Sequence, residues 1–144
     1  MGQFDILLAY DDPHMLKVIG WTLADKGCSV ATVSSADEAI QSLGRRSFDA
    51  VLIDLSIDIA SGFTVMRKAK EIDSGIMVIL LACQEEVTDE DEPALMEADE
   101  YVLKPCGMPK LWKRVSSCLE KLELKRKLAR AEEKIKQLSK ESPP

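Results

Sequence analysis

The chain has 144 residues, 46% hydrophobic and 31% charged, with a formal net charge of −6. That length supports one domain with a core of its own, and the balance of apolar and charged residues excludes a disordered chain. No apolar run reaches the roughly 20 residues that cross a bilayer, and no secretory leader pattern opens the chain, so a cytoplasmic protein is expected.

Phe4–Tyr10 is an apolar run short enough for a buried strand, and it ends at Asp11-Asp12. Asp12 can cap a helix whose first turn holds Pro13. Met15, Leu16, Ile19, Leu23 and Ala24 then recur at helical spacing until Gly27. Cys28–Val33 reads as a second strand. Ser35-Ala36-Asp37-Glu38 is a capping box and predicts a short helix through Ala39, Ile40 and Leu43 to Gly44. Phe48–Asp54 is a third strand, apolar on successive residues as expected when both faces are covered. Helical spacing returns over Phe63–Ile72, and Ile76–Leu81 is the most hydrophobic strand. The acidic run 85–92 reads as a loop, followed by a helix around Pro93–Ala98 and a fifth strand at Glu100–Leu103. From Pro109 to about Lys140 no Gly or Pro intervenes, which predicts one helix of about 30 residues, or roughly 45 Å.

Strands alternating with helices predict a parallel sheet covered on both sides. In such sheets ligands bind beyond the carboxyl ends of the strands, where Asp11, Asp12, Asp54 and Lys104 all fall. Carboxylates gathered so closely repel one another, so folding alone gives little reason to collect them. A divalent cation or a phosphoryl group gives a good one. The four cysteines, Cys28, Cys83, Cys106 and Cys118, form no C-x-x-C pair, and His14 is the single histidine. They are expected to be reduced thiols, with a redox pair of Cys83 and Cys106 as the rarer alternative.

The Asp11-Asp12-Pro13-His14 cluster, Asp54 closing the third strand, Gly62 eight residues later and Ala98-Asp99-Glu100-Tyr101-Val102-Leu103-Lys104-Pro105 occur in order. Together they resemble the receiver domain of bacterial two-component response regulators, over roughly residues 4–118. The resemblance implies a flavodoxin-like (βα)5 doubly wound α/β fold of strand order 2-1-3-4-5. It makes Asp54 the acceptor of a phosphoryl group from a sensor histidine kinase or phosphotransfer protein. Mg²⁺ would be held by Asp11, Asp54 and the backbone carbonyl of Ser56, with Asp12 a further candidate. Lys104 matches the lysine that pairs with the acceptor and then with the phosphoryl oxygens. No enzyme activity is implied beyond self-catalysed phosphotransfer and dephosphorylation.

Two positions depart from the family pattern. Aligned without gaps, Tyr10 stands where the family has the first of its acidic residues, so weaker Mg²⁺ binding is expected. Ala82 stands where a Thr or Ser hydroxyl normally bonds the phosphoryl group and couples it to the aromatic matched by Tyr101. A hydrogen bond to a charged group contributes roughly 1.5–3 kcal/mol, comparable to a whole coupling energy. Asp58 stands where a proline commonly shapes the loop. A receiver that binds partners without phosphorylation is therefore the competing expectation. A flavodoxin-like enzyme or nucleotide binder is disfavoured, since no glycine-rich loop follows the first strand.

Residues 110–140 carry eleven Lys and Arg against four acidic residues, whereas residues 1–109 carry eight against twenty. A receiver domain over 1–120 and a helical extension over 121–144 are expected from this asymmetry. Leu111, Val115, Cys118 and Leu122 should pack on the sheet. Leu124, Leu128, Ala131, Ile135 and Leu138 form a second, heptad-spaced stripe, expected to make a parallel coiled-coil homodimer or a linker to a following domain. The basic face lacks a base-reading element or interleaved aromatics, so nucleic acid is not an expected partner.

Overall fold

The structure is a computed structural model and describes residues 3–141, so both outer ends of the expected regions, 1–2 and 142–144, lie outside the described residues. Five parallel strands, β1 (Asp5–Ala9), β2 (Ser29–Val33), β3 (Ala50–Asp54), β4 (Met77–Cys83) and β5 (Glu100–Lys104), form one sheet of order 2-1-3-4-5. Between them run α1 (Pro13–Asp25), α2 (Ala36–Arg45), α3 (Ile59–Ile72) and α4 (Glu92–Leu95), and α5 (Met108–Glu141) closes the chain. This is the flavodoxin-like α/β fold expected from the sequence.

Period-two alternation sorts each strand's side chains onto two faces. Ile6, Leu8, Leu52, Ile79 and Leu81 pack with Ile19 and Leu23 of α1 and with Leu111, Val115, Cys118, Leu119 and Leu122 of α5. Leu7, Ala9, Val51, Ile53, Val78 and Leu80 pack on the other side with Ala39 and Leu43 of α2 and Phe63, Met66 and Ala69 of α3. All five residues of β3 are buried, because this central strand is covered on both faces.

The caps follow the local sequence. Asp12 Oδ1 accepts from the amides of His14 and Met15 at the start of α1. Ser35 Oγ accepts from the Glu38 amide, and Glu38 reaches back to the amide of Ser34. Most element boundaries differ from expectation by a residue or more, and three of them are instructive. Helix α3 begins at Ile59 rather than Phe63, because Asp58 caps it by accepting from the amide and hydroxyl of Ser61. Helix α2 continues through Gly44 to Arg45, and α4 is a single turn ending at Leu95 rather than Ala98. Gly62 lies inside α3 against the turn that follows β3, where a Cβ would collide with the Leu55 side chain. Glycine is needed there for close approach.

Candidate functional site

The carboxyl ends of β1, β3 and β5 meet at one edge of the sheet. Parallel register sets Ala9 beside Ile53 and Asp54 beside Leu81, so Tyr10 and Asp11 meet Asp54 and Ser56 at this edge, with Ala82 still paired to Leu103 in the sheet beside them. Asp54 is 0% exposed, a carboxylate wholly inside the protein. Such a charge must be paired and hydrogen-bonded. Its Oδ2 lies 2.8 Å from Lys104 Nζ, and its Oδ1 accepts from the Ser56 amide at 2.8 Å. The Asp54 side chain also caps the single 3-10 turn over Leu55–Ile57 that carries Ser56.

Tyr10 completes the ring of contacts. Lys104 Nζ donates to the Tyr10 hydroxyl at 3.1 Å and sits 4.9 Å from the centre of the Tyr10 ring, so the ammonium meets both the oxygen and the π-face. From the sequence, Tyr10 reads only as a missing carboxylate. In the fold it is a second partner for the lysine, and the signal for that was its position at a strand end opposite Lys104. On the other side, Ser56 Oγ donates to Asp11 Oδ1 at 3.1 Å and joins that exposed carboxylate to the loop after Asp54. The Ser56 hydroxyl was likewise not singled out from the sequence. Asp12 also lies at this edge, but its Oδ1 is occupied in capping α1. Tyr101 is half-buried on the far side of β5 and lines a cleft of about 170 Å³ with Gln84, Val87, Leu95 and Leu103, while Ala82 is fully buried.

Burial pulls the Lys104 ammonium down, but hydrogen bonds and charge from Asp54 and Tyr10 outweigh it, and its pKa is raised above the ordinary lysine value. Burial raises the Tyr10 phenol, with Asp54 adding to the rise and Lys104 opposing it. Groups raised on folding contribute stability below their unfolded values and lose it as pH climbs through the folded ones. Stability should therefore fall on alkaline titration above about pH 10. Subtracting the absorbance titration of a Tyr10→Phe variant from that of the parent should isolate a phenol ionising above the ordinary value. A difference centred at or below 10 would show that the site does not hold Tyr10 as described.

The family model for the response regulator receiver domain matches residues 6–116. The chain belongs to the response regulator receiver domains. This receiver is 29% identical over 115 residues to the transcriptional regulatory protein GlrR of Escherichia coli K12, covering 80% of this chain and 26% of that one. It is 28% identical over 134 residues to the alginate biosynthesis transcriptional regulatory protein AlgB of Pseudomonas aeruginosa, covering 93% of this chain and 30% of the other. The chain thus spans less than a third of either of these relatives. A response regulator receiver protein from Sinorhizobium medicae superimposes with a TM-score of 0.74 at 28% identity, over 83% of this chain and 97% of that one. A CheY-like receiver domain protein from Methanospirillum hungatei shares the fold at a TM-score of 0.79 and 21% identity, over 86% and 99%.

A divalent cation asks this receiver for hard oxygen donors. Asp11, Asp54 and Ser56 supply two carboxylates and a backbone carbonyl around one loop, linked by the Ser56 hydrogen bonds. Among the described residues no group of three or more acidic, His or Cys side chains is placed to hold a metal. Two carboxylates and one carbonyl would leave an ion such as Mg²⁺ to keep several waters, and Tyr10 adds no carboxylate. No helix among the described residues is long and apolar enough to cross a membrane.

Proposed function

We propose that this receiver accepts a phosphoryl group on Asp54 from a sensor histidine kinase or phosphotransfer protein in two-component signalling. The observation that carries this reading is the Asp54–Lys104 contact of 2.8 Å at the carboxyl edge of the sheet, reaching from the end of β3 past β4 to the end of β5. One carboxylate oxygen attacks phosphorus, the bond from phosphorus to the donor's imidazole nitrogen breaks, and that nitrogen takes a proton from solvent. Lys104 holds the acceptor before transfer and offers its ammonium to the phosphoryl oxygens afterwards. Ser56 keeps the loop in place through its amide on Asp54 and its hydroxyl on Asp11. Mg²⁺, held by Asp11, Asp54 and the Ser56 carbonyl, would neutralise the charge that otherwise repels a phosphodonor from a carboxylate.

A second reading is favoured by a specific observation. Asp54 is 0% exposed, so a donor reaches it only after covering groups at the site move. With Ala82 offering no hydroxyl, the domain then serves as a binding module whose state does not depend on phosphorylation.

One experiment separates the two. The protein is incubated with Mg²⁺ and acetyl phosphate, and its intact mass is followed alongside the fluorescence of Trp21 and Trp112. A phosphoryl adduct is expected on the parent and none on Asp54→Ala. No adduct on the parent, or one that survives the substitution, overturns the acceptor reading in favour of the binding module.

A further inference from the structure

Helix α5 carries two apolar stripes on opposite sides. At about 100° per residue, Leu111, Val115, Cys118, Leu119 and Leu122 share one face, and each is at most 4% exposed against the sheet. Arg126 continues that face, and its guanidinium lies 2.6 Å from Asp49 Oδ1 at the foot of β3. Asp49 Oδ2 in turn accepts from the Asp5 amide at 2.7 Å, so the ion pair is fastened to the start of β1. The helix is therefore held to its own domain by one side as far as residue 126. Leu124, Leu128 and Ile135 lie about 180° away and are 65%, 60% and 66% exposed. Because Arg126 and Leu122 fix the rotation of the helix, this second stripe cannot turn inward onto the domain.

The stripe has the spacing of a coiled-coil seam, with Leu124, Ala131 and Leu138 at d positions and Leu128 and Ile135 at a positions. Its flanks name the occupant. In this register Glu120 and Lys127 are g residues, and Lys125 and Glu132 are the e residues that follow each of them in a parallel partner. We propose that the seam is covered by a second copy of this chain, parallel and in register. Glu120 then faces Lys125 of the second copy and Lys127 faces Glu132, and two-fold symmetry repeats both pairs. An antiparallel pairing instead sets g against g and brings Lys127 toward Lys134 of the second copy, a like-charge contact. Lys121, at the preceding a position, marks the end of the apolar seam beside the domain. The parallel arrangement places both receivers at the same end of a short two-stranded stalk, with Arg126 and its Asp49 contact on the outside of each.

The test uses the full chain without any phosphodonor. Sedimentation velocity over a range of concentrations should show a monomer–dimer equilibrium for the parent and for Asp54→Ala alike, so its outcome is independent of the acceptor reading. Leu128→Asp with Ile135→Asp should leave a folded monomer by circular dichroism, since both side chains are exposed. Charge reversal tests the register. Glu120→Lys with Glu132→Lys makes the four paired flank positions all basic, and Lys125→Glu with Lys127→Glu makes those four all acidic. Each should dimerise at least about tenfold more weakly than the parent alone, and an equimolar mixture of the two should recover the dimer. Leu124→Cys should form an intermolecular disulfide under mild peroxide, beyond any formed by the parent under the same conditions. A parent that stays monomeric at every concentration, leaving the seam to another segment or partner, overturns the proposal. So does a dimer that survives the two aspartates. A mixture no tighter than its components, or no cross-link at residue 124, overturns the parallel register.

Discussion

Lys104→Met is expected to destabilise the fold by about 3–5 kcal/mol, the cost of leaving one member of a buried ion pair behind. The two partners differ in exposure, and the direction of the asymmetry follows from that. Asp54 has no contact with solvent, whereas the Lys104 side chain is 23% exposed and retains the Tyr10 hydroxyl. Asp54→Asn should therefore cost less, because the ammonium left behind can still find water. The double variant Asp54→Asn with Lys104→Met should recover most of the loss of Lys104→Met alone. Urea unfolding of the four proteins gives the coupling directly. A cost below about 1 kcal/mol for Lys104→Met, or additive effects in the double variant, would show that something other than Lys104 compensates the Asp54 charge. Lys104→Met should also lose the phosphoryl adduct while Tyr10→Phe keeps it, since Tyr10 reaches the acceptor's partner and is not needed for the carboxylate to attack.

Ala82→Ser should move resting stability and phosphoryl affinity in opposite directions. Ala82 is wholly buried among Leu80, Tyr101 and Leu103 on the α3 side of the sheet, one residue beyond the register partner of Asp54. A hydroxyl placed there with no anion to bond costs about 1–3 kcal/mol in the resting protein. With a phosphoryl mimic on Asp54 it gains a charged acceptor, a bond of roughly 1.5–3 kcal/mol. Binding of beryllofluoride with Mg²⁺ should then tighten by about one to two orders of magnitude. Hydrogen exchange at 84–103 should respond to the mimic in Ala82→Ser and barely change in the parent. Equal affinity in the two proteins would mean that the serine hydroxyl does not reach the phosphoryl group.

Much of the fold was legible because its signals are local. Asp12 before Pro13 and Ser35 three residues before Glu38 satisfy amides within one helical turn of themselves, and neither needs a distant partner. The apolar runs that became β3 and β4 were identified by composition, since a strand covered on both faces has no polar alternation to disguise it. The start of α3 was less legible because Asp58 serves as a cap where apolar spacing had not yet begun. The end of α4 was unclear for the converse reason. Four residues are too few for periodicity to set a boundary, and of them only Leu95 is buried in the core.

At the site, residue types and strand ends named Asp11, Asp12, Asp54 and Lys104, because parallel topology sends every carboxyl end to the same edge, and the family resemblance added Ser56. Absent residues were also readable, in that no hydroxyl stands at Ala82 and no carboxylate at Tyr10. The sequence by itself therefore determined the family and the topology, and it singled out Asp54 as the proposed acceptor. Only the tertiary structure decided what Tyr10 does, because its contact with Lys104 joins residues 94 positions apart and depends on how two strand ends converge. The same holds for α5. Heptad spacing described its second stripe, but the direction that stripe faces was settled by Leu122 packing on the sheet and by Arg126 reaching Asp49 across 77 residues of chain. Spacing is written along one helix, while orientation is fixed by what the helix touches.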